Sequence, residues 1–523
     1  MLLLLLSSTT TTTAATTAAT AAASPTTCAT TIDATAIRAG DDFQCTPLGA
    51  PNTLDTCRAA CCASSTCASF SFNEPWSLNA TYMGCVHGQN CCCLKSSVPP
   101  LEPNKFKMNI TSGVATRRPP KFTCKDIVDC NNGGACDVHS GVCACDATWR
   151  GETCAELALL PAPFVGNGDY DYARRTHNYT WGGSIVTDPL DGTHHMFASL
   201  FLNGTLSDWE TKSIVVHMEA KTPAEIVGPY VFSDIVAAPR SNASPPLWDS
   251  MDCHNPTVHK IGDEYVVFYI GVGVNVNRLH AAQLAPNLDK AQAIGAAFAS
   301  SPRGPWTRVR APLLVADQKW ECGGAGPTAC GVSNPAIVVN RTRGADGNHS
   351  VLMFYRGNQD RGVGVASAPS WRGPYTKSKE STASNGIFRG NIVVGLEDMY
   401  VWENPLLPNA AAAAAAAHRP GCHMILHQEE QGIENLGAHA FTTDPSCLAG
   451  WQLSTPRPSH AYGPEFAWSN GTTTTFGSRE RPQVVLDHRS GAPTHLSSGV
   501  ILKPASGGGW SGASFTVVAP IAV

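Results

Sequence analysis

The feature that leaves this 523-residue chain fewest options is a motif repeated five times along its C-terminal part. Each copy begins with two polar or small residues and a turn-forming position, runs into a short apolar strand, turns, and returns as a second apolar strand. The copies start at Trp181-Gly182-Gly183, His254-Asn255-Pro256, Ser333-Asn334-Pro335, Glu397-Asp398-Met399 and Glu480-Arg481-Pro482, roughly 65 to 85 residues apart. Their second strands read Thr193–Phe197, Glu264–Tyr269, Ser350–Tyr355, His423–His427 and Thr494–Leu496. Three units close on Gly-Pro-aromatic, at Gly228-Pro229-Tyr230, Gly304-Pro305-Trp306 and Gly373-Pro374-Tyr375, with Gly450-Trp451 as a degenerate fourth. A repeat of this length is one supersecondary unit that buries its apolar face only against its neighbours. Five of them predict a five-bladed β-propeller over residues 160–523, in which radial repetition leaves only short strand edges. The last strands are expected to pair back to the first blade.

Composition agrees with a mostly β protein. Gly (47) and Pro (37) are abundant, as turn-rich sheets require. Charged residues make up only 15% and the net charge is −5, which excludes the clustered basic charge of a nucleic-acid-binding surface. Of 21 cysteines, ten lie between Cys28 and Cys93 and six between Cys124 and Cys154. Such density implies a disulfide framework and an oxidising compartment. Eight Asn-x-Ser/Thr sequons, at Asn79, Asn109, Asn178, Asn203, Asn242, Asn340, Asn348 and Asn470, point the same way. Residues 1–27 read as a signal-like leader, with Leu2–Leu6 followed by the Thr/Ala tract Thr9–Ala23. No run reaches the roughly 18 apolar residues of a membrane span. The expected location is secreted or extracellular, at the cell surface or cell wall.

Two small disulfide-rich modules precede the repeats. In residues 28–115, Cys57-x3-Cys61, Cys67, the aromatic Ser69-Phe70-Ser71-Phe72 and the closing Cys93-Leu94-Lys95 resemble the PAN/Apple domain, with Ile110–Val114 similar to that family's closing strand. The resemblance implies protein or glycan binding. A Pro-containing linker, residues 116–123, follows. Then Cys124-x5-Cys130-x5-Cys136-x6-Cys143-x-Cys145-x8-Cys154, with Asn132-Gly133-Gly134 and Trp149-Arg150-Gly151, resembles an EGF-like domain over residues 124–154. That resemblance implies the pairs Cys124–Cys136, Cys130–Cys143 and Cys145–Cys154. The residues before Cys124 lack the acids of calcium-binding members, so calcium is not expected. So small a module relies on disulfides in place of a core, and serves as a spacer or as a ligand-binding unit. Cys322 and Cys330 are the favoured pair among the later five cysteines, one of which is left over.

As an architecture, the repeat resembles the five-bladed propeller glycosidases, the arabinanases, β-xylosidases and invertases. The resemblance implies that the first residues of each blade line a central funnel and supply a general acid, a general base and an Asp that sets pKa values. Carried over by position, the general acid falls on Glu397, followed by Asp398. The modulating Asp falls on Asn334 and the base on Gly182, neither of which is acidic. Glu480 is the best-placed substitute base, with Arg479 and Arg481 beside it expected to keep it ionised. Asp171 and Asp252 are weaker candidates. Like charge on Glu397 and Asp398 is expected to raise one pKa of that pair. Glu403-Asn404-Pro405 imitates the motif, but starting there leaves only Leu406-Leu407 for the strand, so Glu397 is preferred.

Substrate contacts are expected from His254, Asn255, Asn334, Arg481 and Trp402, with Trp181 and Tyr400 as alternatives for stacking on sugars or packing in the core. His423 and His427 share a strand face, yet no carboxylate stands at metal-ligand spacing from them. For these histidines, and for His217 and His439, the expected roles are sugar contact or structural hydrogen bonding. No metal and no cofactor are expected. The run Ala410–Ala417, despite the high helix propensity of alanine, reads as a loop insertion at the rim. Two functions fit: a secreted glycoside hydrolase working through Glu397, or a non-catalytic extracellular glycan-binding or adhesion protein with a degenerate site. Either one takes carbohydrate or glycoprotein ligands, with a protein partner possible at the two modules.

Overall fold

The computed structural model describes residues 29–33, 36–38, 42–46, 54–63, 67–73, 91–97, 101–103 and 110–116, and then 122–163, 179–220, 222, 225–242, 247–274, 290–322, 330–343, 349–357, 362–379, 386–388, 395–404, 419–430, 433–456, 459–502 and 513–523. The leader, Pro119-Pro120, Asp171, the run Ala410–Ala417 and the sequons at Asn79, Asn109, Asn178 and Asn348 lie outside the described residues. Two compact units divide the chain, residues 1–121 and residues 122–523.

The first unit holds a five-stranded antiparallel sheet in the spatial order Ala29–Asp33, Ile110–Thr116, Ser69–Asn73, Cys91–Lys95, Asp42–Thr46, together with the helix Leu54–Ala63. Among the described residues its apolar core is small. Phe70, Phe72 and Leu94 are buried among Cys57, Cys61, Cys67 and Cys92. Cys57–Cys92 ties the helix to the sheet, Cys61–Cys67 ties it to the segment leading into Ser69–Asn73, and Cys45–Cys93 joins two adjacent strands, which compensates for a small core.

The second unit is a five-bladed β-propeller carrying the small module of residues 122–157. Blades 1 to 4 are four-stranded antiparallel sheets whose innermost strands are Tyr179–Thr187, Asp252–Ile261, Val332–Arg343 and Leu396–Glu403. Blade 5 begins at Ser478–Leu486 and continues through Pro493–Ile501 and Ser514–Pro520. Strands in the middle of a blade are buried on both faces, so they read as nearly continuous apolar runs. The reason is an apolar cluster between every neighbouring pair of blades: Phe197 and Val215 meet Val258 and Val267 between blades 1 and 2, and Phe354 and Val365 meet Met399 and Met424 between blades 3 and 4. Ile185 and Met196 of blade 1 meet Val485 and Val518 of blade 5, so the ring closes by packing as well as by connectivity.

Closure differs in detail from the sequence expectation. The last strand does not pair with blade 1; it pairs with the segment just before it. Leu159 bridges Ile521, the Leu160 N–H donates to the Pro520 carbonyl (2.8 Å), and the Ala522 N–H donates to the Ala158 carbonyl (2.9 Å). Residues 158–160 thus supply the outer edge of blade 5.

That edge is fed directly by the cysteine-rich module, whose bridges are Cys124–Cys136, Cys130–Cys143 and Cys145–Cys154. The module is no free spacer. Trp149 is buried against Trp402, His423 and His439 of blade 4, at ring-centroid distances of 6.2, 5.0 and 4.1 Å. Asn131 Nδ2 donates to the Thr455 carbonyl and its Oδ1 accepts from the Thr455 N–H, each at 2.8 Å. Asn131 and Asn132 both have positive φ, a conformation Asn tolerates better than most residues. Elsewhere in the propeller, Cys322–Cys330 and Cys422–Cys447 are bridged, and Cys253 is the free cysteine among the described residues.

Truncating Trp149 removes the anchor of this interface. Trp149→Ala is expected to cost about 3–5 kcal/mol and to expose the module to limited proteolysis while its disulfides stay formed. A variant as stable and as protease-resistant as the parent would show that the module is not held by this contact.

Candidate active site in the propeller funnel

In every blade the second residue of the repeated motif adopts a left-handed backbone: Gly182 (φ 53°), Asn255 (49°), Asn334 (51°), Asp398 (54°) and Arg481 (50°). The strand ladder slips at these same five places. A bulge of this kind bends the strand and re-aims its side chains, here toward the propeller axis. Gly, Asn and Asp reach this conformation most readily, which is why the motif favours them. In blade 4 the slip lies between Glu397 and Tyr400. Glu403 is the last residue of that strand, and Asn404 donates to the Arg419 carbonyl (3.1 Å).

The first residues of the five motifs, Trp181, His254, Ser333, Glu397 and Glu480, line one cavity of about 420 Å³. Its walls differ in character. Trp181, Trp209 and His254 form an aromatic side, with Trp209 and His254 at 5.3 Å between ring centroids. Arg356, Glu397, Asp398 and Glu480 form a charged side. Asn255 and Asn334 also line the cavity and bond to each other, Asn255 Nδ2 donating to Asn334 Oδ1 (2.9 Å).

The acids share one histidine. His427 Nδ1 stands 3.4 Å from a Glu397 oxygen and 3.7 Å from a Glu480 oxygen, and Arg356 forms an ion pair with Glu397. Burial works against a charged His427, but Glu480, Glu397 and Asp398 outweigh it and push its pKa up to about 9. Glu480 is raised to about 7, first by burial, with His427 and the Ser478 hydroxyl opposing and Glu397 and Asp398 adding to the rise. Asp398 is raised to about 6 by burial, against the pull of Arg481, with a contribution from Glu397.

The sequence expectation that Arg479 and Arg481 would hold Glu480 ionised is therefore overturned. Neighbours in a strand point to opposite faces. Arg479 donates to the Glu465 carbonyl (3.2 Å) and lies over the rings of Tyr462 and Phe466. Arg481 reaches under the cavity, donating to the Asn255 carbonyl (2.9 Å) and standing 3.5 Å from Asp398.

Other expected residues also land elsewhere. Arg481 is fully buried in the floor and does not line the cavity. Trp402 lies beyond the bulge and packs on Trp149 and His423, away from the funnel. Tyr400 is buried and stacks on His259. Asp252 is buried behind the wall, where its Oδ1 accepts the Ser213 N–H (2.8 Å) and burial raises its pKa to about 8. His217 is buried within blade 1, and His439 lies under Trp149.

Sequence reasoning missed Arg356, Trp209 and the role of His427. A signal for two of them exists in the register. Arg356 stands directly across the hairpin from Ser333, and His427 directly across from Glu397, so counting back from each bulge finds both. Trp209 sits in a short helix within a loop and follows no repeat position. Donor atoms of Glu397, Asp398, His427 and Glu480 lie within 4.8 Å of one another. These four could hold a cation, although spacing along the chain showed no such set, because the donors come from three different strands.

Gly182, the neutral residue where the family resemblance implied a base, has a steric cause. A Cβ there would lie 2.2 Å from Cγ of Arg481, whose side chain fills the space. Gly182→Asp is expected to destabilise the protein by roughly 1–3 kcal/mol through overpacking, and adding Arg481→Gly should restore part of that in thermal melts. A single variant that melts with the parent would remove the steric account.

No protein-family model matches the sequence, and no curated protein matches it. Among solved structures, the chain is similar over about two thirds of its length to glycoside hydrolases. A family 117 glycoside hydrolase of the marine bacterium Zobellia galactanivorans aligns at 13% identity and a TM-score of 0.40, over 70% of this chain and 89% of its own. The catalytic domain of the GH62 α-L-arabinofuranosidase of Coprinopsis cinerea aligns at 12% and 0.41, over 69% and 95%. The endo-arabinase of Bacteroides thetaiotaomicron aligns at 12% and 0.36, over 66% and 95%.

Proposed function

We propose that the protein is a secreted glycoside hydrolase whose reaction centre is the Glu397–Glu480 pair. The observation that carries this reading is that two buried carboxyl groups, from the inner strands of blades 4 and 5, open on one cavity opposite an aromatic wall. Cleavage of a glycosidic bond needs a carboxyl that holds a proton and a carboxylate that does not. Glu480, raised to about 7, is the proton holder, and Glu397, ion-paired with Arg356, is the ionised partner. This exchanges the roles that family resemblance implied for the two residues. His427 Nδ1 stands between the two, 3.4 Å from one carboxyl oxygen and 3.7 Å from the other.

Trp209 and Trp181 offer flat apolar surface to the face of a sugar ring, and the cavity is within the usual range for a small-molecule site, about 300–1,000 Å³. Secretion is supported by the disulfides in both units and by the sequons at Asn203, Asn242, Asn340 and Asn470, which are all exposed. The PAN/Apple-like and EGF-like segments are proposed to bring the enzyme to protein or glycan partners.

One observation favours a second reading, a glycan-binding protein without turnover: Gly182 and Asn334 stand where the family resemblance implies acids. Turnover on a panel of pentosides, fructosides and galactosides decides between them. Under the hydrolase reading, Glu480→Gln and Glu397→Gln each lower kcat by roughly 10²–10⁴-fold and leave sugar binding intact. Activity should also decline as pH rises through about 7, where Glu480 loses its proton. Sugar binding with no turnover by the unmutated protein would leave the binding reading in its place.

A further inference from the structure

Blade 1 gathers a second set of donors, far in sequence from the funnel acids. The turn joining its first two strands carries Asp188 and Asp191, and the second strand opens with His194 and His195. Donor atoms of Asp188, Asp191 and His195 lie within 4.8 Å of one another. His195 is fully buried, and its Nδ1 is 2.8 Å from His217 Nε2, while His217 Nδ1 is 2.9 Å from a carboxylate oxygen of Asp234.

This chain of contacts dictates where the protons are. As a carboxylate, Asp234 can only accept, so His217 donates from Nδ1. A neutral His217 then accepts at Nε2, and His195 donates from Nδ1. His195 Nε2 is left with a bare lone pair, and that atom is buried without a hydrogen-bond partner. An imidazole oriented through its far nitrogen by a carboxylate-ended relay is the usual surrounding of a metal-ligating histidine. Burial and the neighbouring His217 lower the His195 pKa to about 4, so the ring is neutral at physiological pH.

The carboxylates have capacity to spare. Asp188 accepts the Leu190 N–H (3.0 Å) and the Tyr265 hydroxyl (3.1 Å) on Oδ1, which leaves Oδ2. Arg303 pairs with Asp191 (3.2 Å) and Glu219 (3.0 Å), and its side chain is 41% exposed, so it can swing toward solvent. Asp188, Asp191, Glu219 and Asp234 together outnumber that one guanidinium.

We propose that blade 1 binds a divalent cation of the zinc class through His195 Nε2, Asp188 and Asp191, at a site separate from the funnel. Imidazole nitrogen selects for zinc and its neighbours over calcium and magnesium, which prefer all-oxygen shells. Three protein ligands leave an open position on the cation.

The test is a zinc titration of the chelator-stripped full-length protein at neutral pH, read by competition with a chromophoric chelator. One bound equivalent is expected in the parent and in His427→Gln, which alters the funnel cluster. Affinity should fall at least tenfold in His195→Gln and in Asp191→Asn, and roughly 10–100-fold in His217→Ala through the lost orientation of His195. Asp191 is half-exposed, so its variant decides the matter if His195→Gln fails to fold. Absence of a bound equivalent, an equivalent that survives Asp191→Asn, or one lost only in His427→Gln would each overturn the proposal.

Discussion

The funnel depends on a single packing solution at its floor, where the side chain of Arg481 crosses beneath the cavity. Its guanidinium donates to the Asn255 carbonyl and stands beside Asp398, while its stem occupies the volume a side chain at position 182 would need. A buried cation is costly unless it is paired and hydrogen-bonded. Asp398 supplies the counter-charge, and the Asn255 and Pro256 carbonyls both accept from Nη2. The five left-handed residues bring these groups to the axis together. Among them, Asn255 Nδ2 donates to Asn334 Oδ1, and Arg481 joins the Asn255 carbonyl to Asp398.

The same floor shapes the chemistry above it. Asp398 is occupied with Arg481 and lies deeper than Glu397, so the two neighbours in sequence serve different layers. Glu397 and Glu480, both first residues of their motifs, are left to face the cavity with His427 between them. The His427 ring stands between the two carboxyl groups, and their negative charge favours its protonated form.

Much of this was legible in the sequence because it repeats. The bulge positions, the order of the blades and the residues facing the funnel all follow from one motif aligned five times, and His254, Asn255, Asn334, Glu397, Asp398 and Glu480 do line the cavity. The direction of the side chains next to the bulge was not legible. Strand alternation alone would put Arg479 and Arg481 on one face, and the bulge with its left-handed Arg481 sends them apart; Trp402 likewise lies beyond the blade 4 bulge and packs away from the funnel. Nor did the spacing of cysteines say that Trp149 would enter a cage of Trp402, His423 and His439. That contact is written in three segments, none of which carries a signal alone.

The outer edge of blade 5 comes from residues 158–160, whose partners are the final residues of the chain. The segment leading into the propeller and the strand that completes its fifth blade are thus hydrogen-bonded neighbours. Until the last strand is in place, an edge of blade 5 and the Ala158–Leu160 segment lack their mates, while the face of the cysteine-rich module waits only for blade 4. The disulfides of that module need only its own residues, so it can be covalently finished long before the surface that receives it exists. Assembly order is built into the topology: the clasp is made first and fastened last.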